Sequence, residues 1–143
     1  MRTTNGSIRR TARGFTLLEL VIVLALIGGL LAMVGPRIFS NLQRANSEKA
    51  KIQLEQIGGA LELYKLDNGR YPSTSEGLDA LLKASSGAAN WNGPYLKNPA
   101  QLKDPWQRDF KYASPGEKGG YDLISLGADG KEGGEGENRD IRN

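Results

Sequence analysis

The strongest constraint on the fold is an apolar segment near the amino terminus. It covers residues 15–35, FTLLELVIVLALIGGLLAMVG, and is long enough to cross a bilayer as a helix. Its only charged side chain is Glu19, close to the start. A charge in hydrocarbon costs about 3 kcal/mol on insertion scales, so the sequence predicts that Glu19 has a partner.

The residues just before Glu19 suggest what that partner is. Cleavage after Gly14 would give Phe15 a new ammonium group one helical turn from Glu19, or near the Glu19 of a neighbouring copy. Protonation and a polar helix bundle are the alternatives for neutralising Glu19, but only pairing with an amino terminus also explains the adjacent glycine. We prefer the amine of another subunit, because each added helix would then neutralise the charge of the previous one. Losing such a pair would leave a buried charge uncompensated.

The charge distribution predicts an orientation. The whole chain has 19 basic and 16 acidic side chains, but four arginines and no acidic residue precede the proposed cut. Without them 15 basic and 16 acidic side chains remain, which argues against nucleic-acid binding by the processed protein. Arginines beside an apolar span stay in the cytoplasm, so the carboxy-terminal part is expected across the membrane. These arginines are Arg2, Arg9, Arg10 and Arg13.

Two simpler interpretations of the apolar segment compete with processing and assembly. A secretory signal peptide would have an uncharged core of about 7–15 residues followed by a small-x-small cleavage site. Here the core is longer, contains Glu19 and is followed by Pro36-Arg37. An ordinary single-span anchor is the other alternative, and Gly14 together with Glu19 argues against it.

The composition excludes several kinds of chemistry. The chain has no cysteine and no histidine, so disulfides, thiolate or imidazole zinc sites and Ser-His-Asp or Cys-His catalysis are excluded. Asp104 and Asp109 are candidates for an acid/base pair, but nothing in the sequence converges on them, and we interpret them as turn residues. An enzyme would have to work with carboxylates, lysines or hydroxyls alone. A membrane-anchored carboxylate hydrolase is the alternative that the residues leave open, and it would need two convergent acids with separated pKa values.

The pattern predicts an α+β protein in four segments. Residues 1–14 are a leader, 15–35 the membrane and assembly half of a long helix, 36–66 its amphipathic half, and 67–143 a globular head. Pro36 is a candidate kink or melting point of the helix. The amphipathic half has apolar residues at spacings of three and four, which predicts one buried stripe. This stripe consists of Ala50, Leu54, Ile57, Leu61 and Tyr64.

The head is predicted to be a small antiparallel sheet packed on that stripe. Strand candidates are residues 110–112 and 121–126, connected by a turn-rich segment, 114–120. Residues 73–76 offer capping chemistry for a short helix from Gly77 to about Lys83. Four aromatic residues are expected to anchor loops and core rather than to form a ligand-stacking platform. They are Trp91, Tyr95, Trp106 and Tyr112.

The carboxy-terminal segment is a glycine-rich acidic loop. Residues 126–140 contain five carboxylates, and a flexible loop can supply the six to eight oxygens that calcium prefers. The spacing does not match the helix-loop-helix calcium pattern. The residues alone leave both a cation-binding loop and a solvated acidic tail open.

Five motifs together resemble a known family. The segment Gly14-Phe-Thr-Leu-Leu-Glu19 resembles the prepilin-peptidase motif shared by type IV pilins and pseudopilins. The four later motifs are similar to those of the major pseudopilins of the bacterial type II secretion system, and their combination is specific to that family. These are Leu63-Tyr-Lys-Leu-Asp-Asn-Gly-Arg-Tyr-Pro72, Ser75-Glu-Gly-Leu-Asp-Ala-Leu81, Asp104-Pro-Trp106 and Tyr121-Asp-Leu-Ile-Ser-Leu-Gly-Ala-Asp-Gly130.

The resemblance implies a processed, filament-forming protein that is not an enzyme and has no catalytic residues. A prepilin peptidase would cut between Gly14 and Phe15 and methylate the new amine, leaving a single-pass inner-membrane protein with its head in the periplasm. Through Glu19 and the apolar helix it would form a homopolymer in the membrane lipid, a short pseudopilus that pushes folded exoproteins through the outer-membrane secretin. The implied partners are the minor pseudopilins and the inner-membrane assembly platform with its ATPase, and no nucleic acid.

Two related functions compete with this one. An extracellular type IV pilin-like subunit is the nearest, but such pilins usually close their carboxy-terminal region with a disulfide, which this chain cannot form. A minor pseudopilin is the other, and those often lack the glutamate at the fifth mature position or have larger heads. Glu19 at that position favours the major pseudopilin.

The resemblance also implies calcium in the terminal loop. The implied ligands depart from the usual pattern at Asn138, where many relatives have an aspartate, and Arg139 adds a positive charge beside it. Ligand charge tunes calcium affinity, so a weaker site, or substitution by Glu135 or Glu137, is expected. The ligands implied are the carbonyls of Leu126 and Lys131 and the side chains of Asp129, Asn138 and Asp140.

Overall fold

The computed structural model describes residues 14–143 and confirms the α+β class. One long helix precedes three short strands that form a single antiparallel sheet. Three 3-10 turns, at Leu78–Leu81, Pro99–Leu102 and Gly136–Asn138, lie among the connecting loops. The regular elements are α1 at Leu17–Asn68, β1 at Lys111–Ala113, β2 at Asp122–Ser125 and β3 at Ile141–Arg142.

Helix α1 follows its predicted course closely. It begins two residues later and ends two residues later than the expected range of 15–66, and it includes Pro36. Gly69 terminates it: its φ is +74°, and its N–H donates to the Lys65 carbonyl at 2.7 Å. Glycine favours this left-handed conformation, which explains why the helix ends at the predicted Asp-Asn-Gly signal.

The described residues divide into two compact units between Ile38 and Phe39. The first contains the apolar amino-terminal segment, and the second contains the amphipathic part of α1 and the head. All five residues of the predicted stripe are buried in the second unit, together with Ala60. All of them except Ala50 form one core cluster with buried side chains of the head, which are Leu78, Ala80, Leu81, Ala88, Leu96, Leu102, Phe110 and Leu123.

The sheet contains both predicted strands and one that the sequence did not indicate. Strand β1 pairs with β2, with Tyr112 opposite Leu123, and β2 pairs with β3, with Ser125 opposite Ile141. Strand β3 has only two residues, too few for an alternating pattern to identify. Because it follows the acidic loop directly, its pairing brings the end of that loop back to the sheet.

The predicted helix from Gly77 to Lys83 is a 3-10 turn at Leu78–Leu81. The capping chemistry is present, but it closes the preceding turn: Ser73 Oγ accepts from the Glu76 N–H at 3.2 Å, and Glu76 Oε2 accepts from the Ser73 N–H at 2.7 Å. Gly77 follows with φ of +62°, so the capped turn cannot continue into the next one as regular helix.

The aromatic side chains are anchors, as predicted. The Trp91 indole donates to the Ala80 carbonyl at 2.8 Å, and the Tyr95 hydroxyl donates to Asp67 at 2.7 Å. Trp106 donates to Gln43 Oε1 on α1 at 3.0 Å, and the Tyr112 hydroxyl donates to the Pro72 carbonyl at 2.7 Å. Each polar group is hydrogen-bonded to the protein, as buried aromatic anchors require.

Candidate functional site

The first candidate site is the apolar start of α1. Residues 14–34 are exposed along their whole length, and α1 is the one helix among residues 14–143 that is long and apolar enough to span a membrane. Its most hydrophobic window lies near the amino terminus and is entirely unburied within the protein. An exposed apolar surface of this size requires lipid or other helices around it.

Glu19 is the third residue of α1 and lies in its first turn. The Thr16 hydroxyl accepts a hydrogen bond from the Glu19 N–H at 3.2 Å, and so acts as the amino-terminal cap of the helix. A carboxylate in the first turn is favoured by the helix dipole. No cation among residues 14–143 forms an ion pair with Glu19.

The predicted cleavage site lies immediately before the helix. Gly14 and Phe15 both precede α1, and Phe15 is 80% exposed. A Cβ at Gly14 would meet no atom within 4 Å. The structure therefore presents this peptide bond in an open, non-helical segment, as a protease substrate must be. Arg2, Arg9, Arg10 and Arg13 of the predicted leader lie outside the described residues.

The second candidate site is the carboxy-terminal loop, residues 126–140, called the terminal loop below. Two backbone hydrogen bonds close it: the Ala128 N–H donates to the Glu137 carbonyl at 3.0 Å, and the Asp140 N–H donates to the Gly133 carbonyl at 3.2 Å. They hold residues 126–131 beside residues 136–140. The predicted ligands are distributed over these two arms, so the fold brings both halves of the set to the same loop.

Glycines allow the two arms to approach closely. Gly127 has φ of +64°, and a Cβ there would lie 2.8 Å from the backbone of Asn138. Gly134 has φ of +82°, and its Cβ would lie 2.5 Å from the Asn138 carbonyl oxygen. A side chain at Gly127 would therefore push the arms apart, and one at Gly134 would push the segment that connects them away from Asn138. The sequence analysis noted these glycines but left a solvated acidic tail open.

The individual predicted ligands differ in their surroundings. Asp129 is exposed, and its Oδ1 accepts from the Lys131 N–H at 3.1 Å. Asn138 is exposed in the 3-10 turn, and Leu126 is half-buried after β2. Asp140 Oδ2 accepts from the Gly133 N–H at 3.1 Å and from Arg142 at 3.0 Å. Among residues 14–143, no three acidic side chains form a ready-made metal cluster, so backbone and amide oxygens would have to complete a site.

Asp140 is the residue that best fits a cation ligand. Its side chain is only 7% exposed, and its Oδ1 is buried without a hydrogen-bond partner. Burial disfavours its charge, yet the Gly133 N–H and the Arg142 guanidinium more than offset this and hold the pKa of Asp140 below its usual value. An ionised, buried and unpartnered carboxylate oxygen, among oxygen-only donors, fits a hard cation such as calcium.

One group beside the terminal loop was missed in the sequence. Asp104, interpreted as an ordinary turn residue, is 2% exposed and accepts three hydrogen bonds, from the Trp106 and Arg108 N–H groups and from the Ser125 hydroxyl. Arg108 lies against the loop and donates to its backbone. The Asp104 bonds to the Trp106 and Arg108 N–H groups are local and fit a turn. The contacts of Asp104 with Ser125 and of Arg108 with the loop join residues about 20 positions apart, so the local pattern does not indicate them. Asp109, also interpreted as a turn residue, lies just after the turn. It is exposed, forms an isolated antiparallel bridge with Lys103, and its carboxylate lies 2.7 Å from Lys103 Nζ.

Two family descriptions match the chain, one over each part. "Type II secretion system (T2SS), protein G" matches residues 37–143, and "Prokaryotic N-terminal methylation motif" matches residues 9–35. The second range includes Gly14, Phe15 and Glu19 of the predicted processing and assembly site. Together the two matches cover the segments to which the sequence assigned separate roles.

Similar proteins and one solved structure agree with these family matches. The type II secretion system core protein G of Pseudomonas aeruginosa is 46% identical over 139 residues, covering 94% of this chain and 96% of the relative. The core protein G of Vibrio cholerae is 43% identical over 137 residues, covering 94% and 92%. The crystal structure of the major pseudopilin from the type 2 secretion system of enterohaemorrhagic Escherichia coli is similar with a TM-score of 0.61 and 31% identity, over 76% of this chain and 94% of that one.

Proposed function

Because the chain belongs to the type II secretion system protein G family, the major pseudopilins, we propose that it polymerises through α1 into a pseudopilus that exports folded proteins across the outer membrane. It is a structural protein and not an enzyme, as its family is. The observation that carries the proposal is the exposed apolar surface of residues 14–34 with one carboxylate in its first helical turn.

Processing comes first in this proposal. A prepilin peptidase cuts between Gly14 and Phe15 and methylates the new amine, which keeps its positive charge. The methylation motif matched over residues 9–35 and the open segment before α1 support this step. Removal of the leader leaves Phe15 as an amino terminus beside the first turn of the helix.

Pairing of charges then sets the register of assembly. The Phe15 ammonium group of one subunit neutralises the Glu19 carboxylate of its neighbour inside the membrane. In hydrocarbon both charges are costly alone, so the pair disfavours any register that leaves either unmatched. Helices of successive subunits add at one spacing as a result.

The location and partners follow from the family and from the apolar helix. The helix is consistent with anchoring in the inner membrane, and membership of the family implies a pseudopilus that works with the secretion machinery. In this proposal the head lies in the periplasm. The assembly ATPase and its membrane platform drive polymerisation, and the minor pseudopilins, the secretin and the exoproteins are the further partners.

Calcium in the terminal loop is part of the same proposal. When bound, calcium would supply positive charge that draws the loop's oxygens together. Asp140, with its unpartnered Oδ1, and Asp129 would hold it from opposite arms, and Asn138 with the carbonyls of Leu126 and Lys131 would complete the set. The chain's own contribution is to keep the two arms in register through the Ala128 and Asp140 hydrogen bonds.

The filament role is tested with Glu19→Ala, using Glu48→Ala, an exposed glutamate in the second unit, as the matched control. Both variants should insert and lose the leader, but only Glu19→Ala should be absent from filaments sheared from cells. Normal filament yield from Glu19→Ala would overturn the proposed pairing. Separately, Gly14→Leu should leave an unprocessed band on a gel, and a processed band would contradict the cut site.

The calcium site is tested by melting the full chain in detergent micelles with calcium or with EGTA. Calcium at a hundred times its Kd should stabilise the parent protein by about 2.7 kcal/mol, seen as a melting temperature higher by several degrees. Asp129→Ala should abolish that difference, whereas Glu117→Ala, outside the terminal loop, should preserve it. Identical melting curves for the parent in both conditions would overturn the proposed calcium site.

A further inference from the structure

The side chain of Arg108 lies against the terminal loop rather than in solvent. It is 34% exposed, and its guanidinium donates through Nη2 to the Gly127 carbonyl and through Nη1 to the Ala128 carbonyl, the latter at 3.4 Å. A guanidinium group is planar, permanently charged and carries several donors at fixed angles. One side chain therefore contacts two successive peptide groups of the loop.

Asp104 holds Arg108 in place from the other side. Its Oδ1 accepts from the Arg108 N–H at 2.9 Å, its own N–H donates to the Arg108 carbonyl at 2.7 Å, and its Oδ2 lies 3.7 Å from Arg108 Nε. The Ser125 hydroxyl donates to the same Oδ2 at 3.0 Å. Because Asp104 is 2% exposed, this set of hydrogen bonds is rigid. Through Ser125 it connects Arg108 to the end of β2, where the terminal loop begins.

The loop is also shaped to receive the guanidinium. Gly130 has φ of +70°, and a Cβ at this position would lie 2.3 Å from Arg108 Nη1. Arg108 Cζ and Cδ would lie 3.0 and 3.3 Å from the same Cβ, which is closer than an ordinary van der Waals contact. A residue other than glycine would have to displace Arg108, so residues 127–130 and the guanidinium fit each other.

We propose that Arg108 is a positioning residue that holds the first arm of the terminal loop, residues 126–131, in its ordered conformation without any bound cation. The carbonyls it binds belong to residues 127 and 128, which stand between the proposed ligands Leu126 and Asp129. Arg108 therefore preorganises the calcium site, and this consequence rests on the proposed function. Preorganisation lowers the ordering cost that a ligand must otherwise meet on binding.

Hydrogen exchange of the full chain in detergent micelles with EGTA tests the proposal without calcium. The reporters are the amides of Ala128 and Asp140, which close the loop. Removing a hydrogen bond from a charged donor should accelerate their exchange by about tenfold or more in Arg108→Gln, and by less in Arg108→Lys, which keeps the charge but cannot contact both carbonyls. The amides of Leu54, Ile57 and Leu61 in α1 should be unchanged.

Lys111→Gln is the matched control. Lys111 also contacts the loop, through Glu132, but this pair is exposed on both sides, so its loss should leave the exchange of Ala128 and Asp140 unaltered. Two results would overturn the proposal. One is unchanged loop exchange in both Arg108 variants; the other is equal acceleration of the loop and helix amides, which would mark a general structural role.

A calcium titration by calorimetry distinguishes failure of the proposed role of Arg108 from failure of the proposed calcium site. If the parent protein binds calcium, Arg108→Lys should bind it a few-fold more weakly, because the loop must be ordered on binding. Unchanged affinity would overturn the preorganisation. If the parent protein binds no calcium, the proposed calcium site is wrong, and the exchange experiment in EGTA still decides the role of Arg108.

Discussion

The Arg70 guanidinium donates to both oxygens of the Glu76 carboxylate, with Nη1 2.6 Å from Oε2 and Nη2 3.0 Å from Oε1. Glu76 also accepts from the Ser85 hydroxyl at 2.6 Å, and Arg70 also donates to the Gly87 carbonyl at 3.0 Å. This bidentate ion pair connects the chain just after α1 to the loop at 85–87. Arg70 first, then Ser85 and the Ser73 N–H, hold the pKa of Glu76 far below its usual value.

Neutralising Glu76 should therefore destabilise the protein in a pH-dependent manner. At pH 7, Glu76→Gln should lower the free energy of unfolding by about 1–2 kcal/mol, a value reduced for the partial exposure of Arg70. A depressed folded-state pKa gives stability that is present above the unfolded value, near 4.3, and is lost as the pH falls towards the folded value. Denaturant unfolding from pH 7 to pH 2.5 should show the two proteins converging in acid.

The control for this prediction is Glu132→Gln. Glu132 pairs with Lys111 on the surface, where solvent screens the charges, so this change should leave stability nearly unaltered at every pH. A pH-independent loss in Glu76→Gln would contradict the electrostatic explanation. It would indicate instead that packing of the side chain is responsible.

Replacing either of two leucines on α1 by alanine should change the free energy of unfolding by very different amounts. Leu61 is fully buried in the core, whereas Leu63 is 54% exposed on the same helix. Leu61→Ala should lower the free energy of unfolding by about 2–5 kcal/mol because it leaves a cavity, and Leu63→Ala should change it by less than about 0.5 kcal/mol. Urea unfolding of both variants measures this. Similar losses would show that the buried stripe has been assigned to the wrong face.

Gln107 should be replaceable by glycine with a gain in stability. Among residues 14–143 it is the one residue other than glycine with positive φ, at +66°. This conformation costs an L-residue about 1–2 kcal/mol in the folded state, and glycine avoids that cost. Part of the gain is offset because glycine loses more conformational entropy on folding. Gln107→Gly should therefore raise the free energy of unfolding by up to about 1 kcal/mol.

The same substitution inside α1 provides the comparison. Gln56→Gly, at an exposed helical position, should lower stability by about 1 kcal/mol. Opposite signs for the two variants in thermal melts would confirm the conformational explanation. Destabilisation by Gln107→Gly would mean that its side chain makes a stabilising contact.

Asp104 and Asp109 are five residues apart and should behave very differently. Asp104→Asn replaces an acceptor of three hydrogen bonds in a buried site and should cost about 2–4 kcal/mol. Asp109→Asn removes one exposed contact with Lys103 and should cost less than about 1 kcal/mol. Equal losses of stability in denaturant unfolding would contradict the conclusion that the buried hydrogen bonds of Asp104 stabilise the 104–108 turn.

Much of the fold was predictable because it depends on local patterns. The stripe from Ala50 to Tyr64 repeats with the helical period, and a periodic apolar face must be buried whatever it packs against. The Asp-Asn-Gly stop at Gly69 and the two hairpin strands also follow from neighbouring residues. Strand β3 and the 3-10 turns at Pro99–Leu102 and Gly136–Asn138 were not predicted, since two to four residues carry no usable period. The third 3-10 turn, Leu78–Leu81, lies within the predicted short helix.

The sites divide in the same way. A processing and assembly site at Gly14, Phe15 and Glu19 could be proposed from the chain alone, because the cost of one charge in an apolar segment depends on composition and not on the fold. The tertiary structure alone revealed that Asp104 supports Arg108 and that Arg108 contacts the backbone at residues 127 and 128. Those contacts form only when β2 and the 104–108 turn meet, and no local property of an arginine indicates which distant carbonyls it will bind.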